Sequence, residues 1–173
     1  MNLQHLVHLA GRFVESCKPG APAPADRAWA LSLLTVGESE LWLRMSNPDQ
    51  RHSIAVARAV SAELADVPSW VMAAALLHDV GKVECGYRTP ARVAATLVWA
   101  VTPSERASTW RTEGKLRRGL ALYHLHPEIG AELCDEAGSD PLTSAWAREH
   151  HLSEAFWTVP RDLGRVLKDC DDD

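Results

Sequence analysis

No two of the four cysteines, Cys17, Cys85, Cys134 and Cys170, form a CxxC pair. That leaves neither a zinc knuckle nor a disulfide framework to organise the chain, and reduced thiols are expected. No apolar stretch approaches the roughly 20 residues needed to span a bilayer. The opening MNLQHLVHLAGRF also lacks a basic start and a cleavage site, so a cytoplasmic protein with no membrane partner is expected. Basic residues are outnumbered: 18 Lys and Arg against 23 Asp and Glu give a net charge of −5, with Asp171, Asp172 and Asp173 stacked at the terminus. Nothing in that balance suggests a nucleic-acid groove. Alternating runs of β-branched residues long enough for a strand are missing too.

What is present is apolar content at 46% of 173 residues, enough for one compact domain with a sizeable core. Helix start signals recur before apolar-periodic segments, so the chain reads as all-α. Helices are expected over Leu3–Ser16, from a cap at Asp26 to Met45, over Gln50–Leu64 and over Trp70–Asp79, with Gly81 as the stop of the last. Further helices are expected over Pro90–Val101, Lys115–Tyr123, Pro127–Ala137, Pro141–His151 and from Pro160 or Arg161 to Cys170, the last three marked by proline at or near the first turn. Val71 to Leu77 is apolar all round, the mark of a buried central helix. No internal repeat is visible, and the seven tryptophans suggest packing between helices.

The stretch LLHDVGK, residues 76–82, sets His78 and Asp79 where that apolar run ends. An unpaired buried carboxylate costs several kcal/mol, so Asp79 needs a partner. Five of the eight histidines fall at expected helix ends: His52 in a first turn, His78 finishing a helix, His126 preceding one, and His150 with His151 finishing another. With Asp79 and Asp171 they form a set rich enough to hold one or two metal ions. Neighbours on a helix point about 100° apart, but the two oxygens of a carboxylate let Asp79 bridge two ions while the histidines complete each sphere.

The segments RHSIAVARAV, AALLHDVGK, HPEIGAELC, REHH and LKDCDDD, in that order, resemble the H…HD…H…HH…D signature of the HD-domain superfamily of metal-dependent phosphohydrolases. The resemblance runs from about Arg51 to Asp173. It implies an all-α helical bundle, with residues 1–45 as N-terminal helices and 46–173 as the metal-binding core. It further implies a mono- or dinuclear metal centre and hydrolysis of a small phosphate ester or nucleotide. By position, His52, His78, Asp79 and Asp171 look like the core ligands. His126, with His150 or His151, would extend the site to a second ion, and Lys82 matches the lysine taken to contact a phosphate. Asp79 and Lys82 are thus the candidate catalytic residues. The donor set favours iron, manganese, zinc, cobalt or nickel over magnesium alone.

The relatives that cleave cyclic dinucleotides continue after HH with a Glu and a GYP segment, whereas here LSEAFW follows His151. The last ligand is open among Asp169, Asp171 and Asp172, with Asp171 the best match to the family ending. His124 is the alternative to His126, while His5 and His8 share a helical face flanked by leucines. Arg51, Arg148 and Glu149 adjoin candidate ligands, either on the solvated surface, contacting substrate or orienting imidazoles. The same ligands serve iron-and-oxygen enzymes of this fold, whereas a non-enzymatic module that senses a nucleotide or binds a partner has no reason to retain every ligand type in order. Substrate identity and oligomeric state are not encoded in any motif.

Overall fold

The structure, a computed structural model, describes residues 20–85, 109, 110, 112 and 114–172. The helices expected over Leu3–Ser16 and Pro90–Val101, together with His5, His8 and Cys17, lie outside the described residues. Among the described residues every regular element is helical. The α-helices are α1 (Pro24–Ser32), α2 (Val36–Leu43), α3 (Asn47–Glu63), α4 (Ser69–Leu77), α5 (Lys115–His124), α6 (His126–Glu136), α7 (Pro141–Glu149) and α8 (Arg161–Asp172). Two 3₁₀ segments, Val80–Cys85 and Glu154–Phe156, follow α4 and α7.

Several boundaries differ from the sequence reading. The helix expected from Asp26 to Met45 is two helices. Thr35 caps α2 by accepting from the Glu38 backbone N–H while the Glu38 side chain accepts from Thr35 N–H, so the chain turns and restarts. Asp26 is not a cap but lies in the first turn of α1, behind Pro24. The SNPD stretch, expected as a break, starts α3: Ser46 Oγ accepts from Asp49 N–H and a proline sits in the first turn. His52 is therefore more than a turn into its helix. At the other end of the chain, α8 runs on through Asp171.

The apolar run behaves as its composition dictates. From Val71 to Leu77, α4 is buried at every position, and α2, α3, α7 and α8 pack around it. Three consecutive alanines, Ala73 to Ala75, give those neighbours room to approach. Two hydrogen bonds lock the helix before His52 to its neighbour: Trp42 Nε1 donates to Ser53 Oγ at 3.0 Å, and Gln50 Nε2 donates to the Trp42 carbonyl at 3.2 Å. Thr143 Oγ1 donates to the Trp70 carbonyl at 3.1 Å, fixing α7 against the start of α4.

Gly81 does not stop α4 in the manner expected. The helix ends at Leu77 with His78 as its cap, and Gly81 lies inside the following 3₁₀ turn with no positive φ. Its role is close approach. A Cβ there would lie 2.0 Å from the His126 carbonyl oxygen and 2.7 Å from the Gly130 nitrogen. The backbone after His78–Asp79 thus rests directly on the first turn of α6.

Candidate metal centre

Each buried histidine of the set is placed by its own helix end. His78 caps α4, His126 opens α6 and His150 caps α7. In all three, Nδ1 faces the carbonyl three residues earlier: Ala75 at 3.0 Å, Tyr123 at 2.6 Å and Ala147 at 2.9 Å. A carbonyl only accepts, so Nδ1 carries the hydrogen and Nε2 is the atom turned to the site. Such bonds fix tautomer and ring orientation around metals.

The Nε2 atoms converge on two carboxylates. Asp79 Oδ1 lies 3.4 Å from His126 Nε2 and 3.7 Å from His150 Nε2, while Oδ2 lies 3.6 Å from His78 Nε2. Asp171 Oδ1 lies 2.9 Å from His52 Nε2 and 3.5 Å from His78 Nε2. His151 Nε2 is 3.2 Å from His126 Nε2. Two groups with metal-binding spacing result, Asp79–His126–His150–His151 and His52–His78–Asp171. They adjoin through Asp79, whose two oxygens face opposite groups. All seven candidate ligands named from the sequence fall in one group or the other. His124 falls in neither, and Asp169 is exposed where Asp171 is buried.

The electrostatics call for a cation. Burial alone would raise the Asp79 carboxyl, but Lys82, His78 and His126 hold it well below the ordinary carboxylate range. Burial opposes ionisation of Asp171 too, yet His78 and His52 bring it far below its usual value. Burial disfavours charge on His78 as well, and Asp171 and Asp79 outweigh it, raising its pKa to about 9. Burial next to His151 and His78 pushes His150 well below its usual value, and burial next to His126 brings His151 to about 4. Those two rings are thus neutral at pH 7, the ligating form of imidazole.

The residues fit a metal on two further observations. The Nε2 atoms of His78 and His150 are buried with no hydrogen-bond partner among the described residues, a costly arrangement that a coordinated ion would remove. The C-terminal ends of α4 and α7 both open onto the site, and their partial negative charge favours a cation. Lys82 occupies part of that role here: its ammonium pairs with Asp79 Oδ2, and although burial alone would lower its pKa, Asp79 raises it above the usual value.

Of the three residues set aside on sequence, Arg148 is exposed and Arg51 donates to the Gly20 carbonyl. Glu149 is different, being buried and bonded through both carboxylate oxygens to Thr158. No spacing rule singles it out, because its partner lies beyond a turn that the sequence does not announce.

No helix among the described residues is long and apolar enough to cross a membrane. No curated protein and no solved structure matches the chain. Residues 50–172 match the family model described as the HD domain. That span begins in the turn before His52, ends just after Asp171, and contains both ligand groups. The chain belongs to the HD-domain family.

Proposed function

We propose that the chain is a metal-dependent phosphohydrolase that acts on a phosphate ester or nucleotide through a centre of two divalent transition-metal ions. The observation that carries this reading is the placement of Asp79: Oδ1 turns to His126 and His150, and Oδ2 turns to His78. A carboxylate so placed can bridge. In this reading Asp79, His126, His150 and His151 would hold one ion, and His52, His78 and Asp171, with Asp79 beside them, would hold the other. Iron, manganese, zinc, cobalt and nickel suit these donors.

Bound ions supply Lewis acidity, which acidifies water and neutralises charge on a phosphoryl group. The chain's own residues do the rest. The carbonyl bonds to Nδ1 keep the imidazoles oriented without reorganisation during turnover. Lys82, whose side chain is 17% exposed, sits at the rim on Asp79 Oδ2. From that position its ammonium would meet a phosphoryl oxygen of a bound substrate.

A panel of phosphomonoesters and nucleotides tests the reading. Protein stripped with a chelator should be inactive on all of them, and added manganese, iron, cobalt or nickel should restore turnover of at least one. A protein that hydrolyses none of the panel with any of these metals refutes the phosphohydrolase reading.

A further inference from the structure

The loop between α7 and α8 carries His151 and is closed at its neck by a single buried acid. Glu149, 6% exposed, accepts from the Thr158 backbone N–H at 2.7 Å and from Thr158 Oγ1 at 2.6 Å. Inside that neck the Leu152 N–H donates to the Glu149 carbonyl at 2.7 Å, and Trp157 Nε1 donates to the Leu152 carbonyl at 3.1 Å. The Trp157 ring packs edge-on against Trp146 of α7, with ring centroids 5.2 Å apart, and lies where a Cβ on Gly164 of α8 would touch it at 2.9 Å. His150 and His151 sit directly after the acid, their rings 4.0 Å apart.

A buried carboxylate held by neutral donors is an expensive way to close a loop, since an apolar side chain would cost less to bury. What the carboxylate supplies is direction. Two oxygens engaged by one residue fix the path of the chain on both sides of His150 and His151. We infer that Glu149 is the positioning residue of the group Asp79–His126–His150–His151, clamping the loop through Thr158 so that His151 Nε2 is presented beside His126 Nε2. The inference rests on the two-ion reading above. It adds that one ion's affinity depends on Glu149 while the other's does not.

The test titrates Mn²⁺ into the metal-free full chain, with calorimetry for affinities and electron paramagnetic resonance for the spin-coupled pair. Glu149→Ala should weaken the ion held by this group by about 10- to 100-fold, the loss typical of partners that orient ligands. It should also abolish the coupled signal while leaving the other ion's affinity unchanged. Glu149→Gln can accept from the Thr158 N–H and donate to Thr158 Oγ1, so it should retain both affinities to within about threefold and keep the coupled signal. Thr158→Val removes one of the two bonds and should fall between them. It carries the comparison if Glu149→Ala does not fold. Two wild-type affinities in the alanine and valine variants, or a parallel loss of both, would overturn the inference. Wild-type protein that takes up no second Mn²⁺ fails before any variant is made and overturns the two-ion reading, and this inference with it.

Discussion

Replacing Asp79 by alanine should abolish tight metal binding and lower any metal-dependent turnover by about a thousandfold or more. The size follows from charge: ions that stabilise a phosphoryl transition state contribute several kcal/mol, and each tenfold in rate corresponds to about 1.4 kcal/mol. Asp79 is the carboxylate that faces both ligand groups, so its loss opens both. The fold should survive the change. Lys82 loses its ion-pair partner, but its side chain retains some exposure and can reach water. A folded, inactive, metal-poor protein is the expected outcome, read by circular dichroism beside metal analysis. Asp79→Asn separates charge from shape, since it preserves volume and one acceptor oxygen, and it should lose the same activity. Retention of full metal content in either variant would show that Asp79 does not bridge.

The second large effect is structural. Gly81→Ala should lower stability by about 1–3 kcal/mol or more, as overpacking does in cores, with a fall in Tm of roughly 5–10 °C. The added Cβ would lie 2.0 Å from the His126 carbonyl oxygen, 2.7 Å from the Gly130 nitrogen and 2.9 Å from the His126 carbonyl carbon. All three are backbone atoms, which no rotamer change can move aside. The first turn of α6 must retreat by more than an ångström, carrying His126 away from Asp79. Gly130→Ala is the control on the facing surface. Its Cβ would meet the Gly81 nitrogen at 3.2 Å and the Ala147 Cβ at 3.7 Å, contacts that small shifts relieve. Thermal unfolding of the two variants should therefore differ clearly, and equal Tm values would refute the close-approach role of Gly81.

These two residues also show what is readable in the sequence and what is not. The HD pair, its apolar helix and the ordered histidines are legible because local composition dictates them: Val71 to Leu77 has no polar face, so it must be buried, and its last turn must deliver His78 and Asp79 to one place. The all-α class follows from the same periodicity. Gly81 reads as a helix stop because glycine commonly is one, yet its actual constraint comes from His126, 45 positions on, and no local rule contains it. The break between α1 and α2 did carry a signal, the Thr35–Glu38 capping box, hidden inside a stretch that otherwise reads as one helix. Asp171 over Asp169 is decided by which face of α8 turns inward. Glu149 is invisible for a third reason: its partner Thr158 is reached through a turn, and turns hold no period.

Elemental analysis of the full-length protein as isolated addresses the metal centre most directly. Two divalent transition-metal ions per chain, falling to none in Asp79→Ala, are the expected result. Protein isolated free of such metals, and unable to take them up when iron, manganese, zinc, cobalt or nickel is supplied, would contradict it.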